Sequence, residues 1–455
     1  MKMLGKSRSL FVKEYYHRLS NWLVAFSLVM FVVGRGHAAP AVIGSSLPSS
    51  PLSSFSCQLD IAAQAKMTGK SVLMICGDYM EDYEAIVPFH VLQAFGIRVD
   101  CASPNKRSLD TCMTAVHDYM GHQLYTELQG HRFTLNANWD ELNPESYDAL
   151  IIPGGRFAEI FSAHHGVLRI VSEFDKAHKP IAVTCHSQLI LIAAGALQDK
   201  KCTGFWSLKP VINLAGGVWS EPNPITSSLL DSNIISAIGW PAHAQFLDHL
   251  FCSIGAKILR RQNRSILFLC GDYVDDYEIN VPFQAMGALG CRVDAVSPGK
   301  KRGDKCVTAI YDHVDQNPEG VQVSSERQGH NVVLTADLNE ICVDDYDCLV
   351  IPGGRSPEFL VMDDMVVSVA REFAHKQKIV AGIGQGKMLI VAAGLLQGKR
   401  CASSNAMKAI VKVGGGLVES TEAVTDGKLL TASGWPVLPQ FISQLANLLD
   451  LSVVF

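Results

Sequence analysis

The run KPIAVTCHSQLILIAAG, residues 179–195, decides how the rest of the chain is read. Residues 181–183 form a short apolar run of the kind a buried parallel strand needs. It stops at Thr184-Cys185-His186, after which Leu189, Ile190, Ala193 and Ala194 return at helical spacing. A cysteine placed where a strand turns directly into a helix is lifted above the sheet edge, and a helix N-terminus favours the thiolate. Those are the conditions for a nucleophile. A second copy, IVAGIGQGKMLIVAAG, spans residues 379–394. Aligning the shared Ala-Ala-Gly endings sets Gly384 opposite Cys185 and Gln385 opposite His186. One elbow carries a thiol and the other carries none.

Working outward, the whole chain is duplicated, a pattern that has to be found before any local reading. SVLMICGDYMEDYEAIVPFHVLQAFG (71–96) recurs as SILFLCGDYVDDYEINVPFQAMGALG (265–290), and YDALIIPGGR (147–156) as YDCLVIPGGR (346–355). The expected division is an N-terminal extension over 1–66, a first repeat over 67–258 and a second over 259–455, with the basic segment 257–264 as linker. Strand-like runs alternate with helical patterns in each repeat: strands near 72–76, 97–102, 149–152, 181–183 and 234–238, and helices near 83–95, 167–177 and 242–252. A hairpin strand is expected near 131–135. Such alternation predicts an α/β fold with a mostly parallel sheet covered on both faces. Ligands of such sheets bind beyond the carboxyl ends of the strands.

Composition sets wider bounds. A chain of 455 residues with 48% apolar and 18% charged residues is globular and long enough for two or three domains. A net charge of -5 gives no reason to expect nucleic-acid partners or an anionic membrane. The 13 cysteines have neither disulfide-scaffold nor zinc spacing, and Cys76, Cys270 and Cys348 lie in apolar strand runs. Free thiols favour a reducing compartment, cytoplasmic or organellar. The N-terminus disagrees: five basic residues precede an apolar run over 22–33 and then small residues, as in a signal peptide. Three readings stay open: a secretory signal, an organelle (chloroplast) targeting segment, or an upstream extension ahead of Met67. The run is short for a membrane span, and no membrane partner is expected for the two repeats.

Three loops of the first repeat should meet at one sheet edge. They carry Asp78, Glu81, Asp82 and Glu84; Pro153-Gly154-Gly155-Arg156; and Cys185-His186. A thiol needs a group that controls its proton, and Glu84 can supply one. Gly154 and Gly155 let backbone amides approach a reacting oxygen. Taken singly, each has a plainer explanation: Gly-Gly is a common turn, and a carboxylate early in a helix suits the dipole. Their convergence is what singles out Cys185. In the second repeat Glu278, Gly353 and Gly354 remain, so Gly384 and Gln385 complete a degenerate site without a nucleophile. Gly382-Ile383-Gly384-Gln385-Gly386-Lys387 is also compatible with a weak anion site, though without phosphate-loop spacing. His117, His122, His164 and His165 lack metal-ligand partners at the right spacing and are read as surface or packing residues. No metal or cofactor is expected.

Together CGDYxxDYE…VPF, IPGGR and the Cys-His elbow resemble the DJ-1/PfpI family, and the tandem arrangement is similar to its plant two-domain members. The resemblance covers nearly everything after Met67. It implies two flavodoxin-like, class I glutamine amidotransferase-like sandwich domains. Cys185 is then the nucleophile, with Glu84 hydrogen-bonded to its sulfur, His186 beside it, and Gly154 and Gly155 at the oxyanion. Family members of this type act on methylglyoxal, either directly or as its glutathione hemithioacetal, so glutathione enters as a possible co-substrate. Deglycase, peptidase, chaperone and oxidative-stress-sensing roles are also attributed to the family. The implied function is a glyoxalase or deglycase acting on small reactive aldehydes, with a non-enzymatic oxidation sensor or chaperone as the alternative. The resemblance also leaves a homo-oligomer open. Ser187 departs from the pattern, which usually has glycine there. With one armed elbow, a thiol-directed electrophile at low dose should modify Cys185 before any other cysteine; peptide mapping that finds another site labelled first would contradict this.

Overall fold

The computed structural model describes residues 68–119, 121–260, 262–314 and 323–455. The signal-like segment and the linker before Met67 lie outside these residues. In the first repeat the apolar runs become strands, the central ones buried along their whole length. These are β1 (Ser71–Ile75), β2 (Arg98–Ala102), the pair β3 (Thr111–Val116) and β4 (Leu128–Thr134), β5 (Ala149–Ile152), β6 (Ile181–Thr184), β7 (Ser228–Asp231) and β8 (Ile234–Ala237). The main sheet runs β7-β8-β6-β5-β1-β2, parallel except for the β7 edge. Four residues suffice for β5 and β6 because every one of them is buried.

Helices α1 (Asp82–Ala94), α2 (His165–Lys176), α3 (Gln188–Ala193) and α4 (His243–Ser253) cover the sheet; α1 packs on α4, and α2 on α3. α2 is strongly amphipathic, burying Val167, Ile170, Val171 and Phe174 at helical spacing. α1 has no such polar face: its residues from Asp82 to Leu92 are all buried, which marks a helix enclosed on every side. The expected hairpin strand is β4, which pairs antiparallel with β3; β3 also pairs in parallel with the short extended piece Met80–Glu81 that feeds α1.

The second repeat copies this plan. Its sheet runs β11-β10-β14-β15-β17-β16, from β10 (Ser265–Leu269), β11 (Arg292–Val296), β14 (Cys348–Ile351), β15 (Ile379–Ile383), β16 (Ala423–Asp426) and β17 (Leu429–Ala432). The hairpin is β12 (Lys305–Val314) and β13 (Val323–Val333), and the helices are α5 (Asp276–Ala288), α6 (Asp364–His375), α7 (Lys387–Ala392) and α8 (Leu438–Leu448). The segment expected to be only a linker begins as a strand. β9 (Lys257–Arg260) pairs antiparallel with β18 (Leu451–Val454), so backbone hydrogen bonds tie the junction to the chain's far end. No helix among the described residues is long and apolar enough to cross a membrane. Every cysteine among them is a free thiol.

The two repeats belong to one compact unit. α1 packs against α5, and each also packs against the other repeat's closing helix, α8 or α4. Two fully buried aspartates face each other here. Tyr277 donates to Asp82 Oδ1 at 2.5 Å and Tyr83 to Asp276 Oδ1 at 2.6 Å, each tyrosine crossing to the opposite repeat. Thr114 and Thr308 donate to the same aspartates within their own repeats. His131 Nδ1 lies 2.7 Å from Asp82 Oδ2 and His330 Nδ1 3.1 Å from Asp276 Oδ2. His131 stacks on Tyr277 and His330 on Tyr83, both with ring centroids 3.6 Å apart. The donor atoms of Asp82, His131 and Asp276 lie within 4.8 Å of one another, as metal ligands would. Their oxygens are instead met by hydroxyl and imidazole donors, the arrangement of a hydrogen-bonded core. Tyr83→Phe removes the donor to Asp276 and the acceptor of Asn280 Nδ2 at 2.5 Å. It should therefore lower the stability measured by urea unfolding by about 1–3 kcal/mol; an unchanged midpoint would show that this interface carries no stability.

Candidate active site

The edge where β1, β5 and β6 end gathers the expected groups. Cys185 follows β6 with φ +50°, a left-handed conformation costly for a side-chain-bearing residue and characteristic of sites where geometry is imposed. Gly384 repeats it at +48°, so the elbow is a property of the backbone and survives without the thiol. Ser187, which departs from the family pattern, donates its hydroxyl to the Pro153 carbonyl and ties the elbow to the Pro-Gly-Gly loop. In the second repeat a Cβ at the matching Gly386 would lie 2.0 Å from the Ile351 carbonyl oxygen, so glycine is required there.

Cys185 Sγ lies 3.2 Å from His186 Nδ1, and the His186 ring stacks on Phe205 at 4.8 Å. Burial and then Arg156 lower the basicity of His186, which is therefore neutral at pH 7. Glu84 is 1% exposed. Its Oε2 accepts from the Gly154 amide at 2.7 Å and its Oε1 from the Trp240 amide at 3.1 Å. Two expectations are corrected here. Glu84 bonds to backbone amides rather than to the sulfur. The Gly154 amide, read as facing a reacting oxygen, is occupied by Glu84. The amides that do act on Cys185 are those of His186 and Gly155. Gly154 must still be glycine, since a Cβ there would sit 2.4 Å from both Cys185 Cβ and Glu84 Oε2.

The thiolate expectation is also corrected, and with it the expectation that Cys185 is labelled first, since Cys252 and Cys342 are the exposed cysteines among the described residues. At 8% exposure, burial and then the Glu84 charge push the Cys185 thiol well above its usual range, and the two amides do not reverse this. α3 is too short to supply much of a dipole. Glu84 is itself pushed up to about 8, first by burial and then by Glu81. It thus holds its proton at pH 7, where the charge that opposes the thiolate is largely absent. These groups open into a pocket of about 230 Å³ lined by Glu84, Tyr119, Arg156, Cys185, His186 and Phe205, with His117 at its wall.

Reasoning from sequence missed part of this lining. His117, read as a surface or packing residue, and Tyr119 both follow β3, a strand that the sequence reading passed over; the alternating run TCMTAV was the available signal. Tyr119 donates to the Ile238 carbonyl at 2.6 Å, and Arg156 pairs with Glu127 and Glu159, each at 2.9 Å. His164 caps α2 and lies away from this pocket.

The second site is filled from within. Glu278 accepts from the Gly353 amide at 2.7 Å, and a Cβ at Gly384 would lie 2.7 Å from Glu278 Oε1. Gln385 Oε1 would lie 2.9 Å from a Cβ at Gly353, while Gly354 keeps the left-handed turn. Lys387, the lysine of the weak anion motif, is fully buried and donates to the Ala432 carbonyl at 2.5 Å. Burial lowers it to about 8, and Glu278 is pushed by burial to about 7. Its ammonium is directed into the core, so the turn offers no cation to an anion.

Comparisons with known proteins give the family. The DJ-1/PfpI family matches residues 70–251 and again 264–448. DJ-1 protein homolog E of Arabidopsis thaliana is 50% identical over 401 residues, 86% of this chain and 100% of its own length. Protein DJ-1 homolog D of the same plant is 45% identical over 390 residues, 85% of this chain and 99% of its own. Deglycase PfpI of Pyrococcus furiosus is 28% identical over 166 residues, 36% of this chain and 88% of its own. The chain therefore belongs to the DJ-1/PfpI family, as a tandem of two of its domains.

Proposed function

We propose that this protein converts small reactive 2-oxoaldehydes such as methylglyoxal to 2-hydroxy acids, at the single Cys185 centre of the first repeat. The observation that carries the reading is one small pocket holding a thiol, a neutral imidazole 3.2 Å from it and a buried carboxylic acid. Cys185 Sγ adds to the aldehyde carbon, and the thiol proton passes by way of His186 to the aldehyde oxygen, giving a hemithioacetal. The developing oxyanion lies near the Gly155 and His186 amides. His186 then carries the hydrogen of that carbon, as a proton, to the neighbouring carbonyl carbon; Glu84 protonates the second oxygen, which keeps that proton as the product hydroxyl, and takes back a proton from the first oxygen as it becomes the thioester carbonyl. One carbon is oxidised and its neighbour reduced, so no external oxidant is needed. The product thioester is released by water as a 2-hydroxy acid. If glutathione supplies the thiol, the product is its thioester and Cys185 acts beside the adduct.

Support also comes from the archaeal relatives that carry the name deglycase. Free thiols throughout the described residues suit a reducing compartment, cytoplasmic or organellar. The oxidation-sensor reading has less support, because it is the thiolate that attacks peroxide, and Cys185 is a buried thiol held well above its usual range.

Full-length protein assayed in the reduced state should consume methylglyoxal and form lactate, or lactoylglutathione when glutathione is required, and Cys185→Ala should abolish this. A folded, reduced protein without turnover would overturn the proposal. Glu84 is raised, so its proton is fully present below about 8 and lost above it. Turnover should accordingly fall as pH rises through about 8. Glu84→Gln cannot ionise and should remove that limb while lowering the plateau by about 10²-fold; an unchanged limb would assign the titration to another group.

A further inference from the structure

The interface between the repeats is nearly two-fold, and one of its departures from symmetry bears on the Cys185 pocket. In the helix entrances Glu81 of the first repeat stands where Asp275 stands in the second. Both cap their helices: Glu81 Oε2 accepts from the Glu84 amide at 2.8 Å, and Asp275 Oδ1 from the Glu278 amide at 3.0 Å. The extra methylene leaves Glu81 with a second oxygen to offer. Its Oε1 lies 2.7 Å from His330 Nε2, contributed by the other repeat. The reciprocal bond is missing: His131 Nε2 is fully buried and has no partner. His330 thus bridges Asp276 and Glu81, with a carboxylate on each ring nitrogen.

The bridge reaches the pocket in one step, since the Glu84 amide is held by the same Glu81 carboxylate. The adjacent residue of β13, Asn331, holds Asp118 through its backbone amide at 2.8 Å and its side-chain amide at 2.5 Å. Asp118 lies between the pocket residues His117 and Tyr119. We infer that His330, supplied by the repeat without a nucleophile, is a positioning residue for the Cys185 site, holding Glu84 in place through Glu81. This rests on the reading of Cys185 and Glu84 as the reacting groups.

The charges act in the same direction. Burial opposes a charge on His330, but Asp276 and Glu81 outweigh it and hold the imidazolium well above its usual range. Burial likewise raises Glu81, with His330 as the main opposing group. Ionised Glu81 in turn helps Glu84 keep its proton. Glu84 faces Glu81, the Cys185 thiol, the Tyr119 hydroxyl, the Thr184 hydroxyl and the amides of Gly154 and Trp240. Without the imidazolium, Glu81 takes up a proton and Glu84 loses its own at lower pH. A charged Glu84 then opposes the thiolate more strongly than Glu81 did.

The test compares three full-length variants with wild type. His330→Asn keeps a polar group near Asp276 but cannot reach Glu81; His330→Gln reaches Glu81 again; His131→Asn makes the matching change on the side that lacks the bridge. Two readouts are taken on folded protein, turnover of methylglyoxal against pH and the alkylation rate of Cys185 by iodoacetamide, followed by peptide mass spectrometry. The expected result is that His330→Asn lowers turnover on the order of tenfold, moves its upper pH limb to lower pH and slows alkylation at pH 7 severalfold. His330→Gln, which restores the bond to Glu81 without the charge, should recover much of the plateau rate while its pH limb stays shifted, and His131→Asn should match wild type in both readouts. Superimposable curves for His330→Asn and wild type, or an equal shift in His131→Asn, would overturn the inference. Absence of methylglyoxal turnover in wild type would count against the proposed reaction alone, because alkylation still reports whether His330 governs Cys185.

Discussion

Two aspartates buried between α1 and α5 impose the constraint on which the molecule depends. A carboxylate taken out of water is costly unless donors replace the lost hydration. Here each aspartate receives a threonine and a histidine from its own repeat and a tyrosine from the other. Neither repeat can satisfy its own aspartate, so neither can expose that helix face without leaving a buried acid short of partners. For Asp276, burial works against ionisation, and His330, His131 and Thr308 together more than offset it. This gives a physical reason for the second domain to persist after its elbow lost the thiol. The fold of the first needs the surface that the second supplies.

Loss of chemistry in the second repeat has a local explanation as well. The elbow backbone is intact, with Gly384 at almost the same φ as Cys185. The space a thiol would need has been taken by the Glu278 carboxylate and the Gln385 side chain, while Lys387 occupies the core beneath. The position matching Cys185 is packed as interior, as close packing demands. The armed site shows the opposite balance. Its glycines at 154 and 155 leave room for Glu84 and for the amides that face the sulfur, and its acid is kept neutral by burial and a neighbouring carboxylate rather than by a specific donor.

One methylene separates the two helix caps at the interface. Glu81 is long enough to cap α1 and still meet the facing histidine, whereas Asp275 is spent on its own helix. A duplicated fold can therefore be symmetric in backbone and asymmetric in electrostatics. The asymmetry favours the side that bears the nucleophile.

Much of this was readable in the residues. Short apolar runs, helical spacing and the repeated motifs determined two mostly parallel α/β sheets, and the strand-to-helix junction marked Cys185, because these are local signals that burial enforces directly. The position of Glu84 near Cys185 also followed from topology, since both lie just beyond parallel strands. What each group does to the other was decided by tertiary structure. Which amide meets which carboxylate, whether a thiol loses its proton and where Lys387 points all depend on burial and on contacts between residues far apart in the chain. His330 and Glu81 are 249 positions apart; no local pattern pairs them, and only the docking of one repeat on the other brings them together.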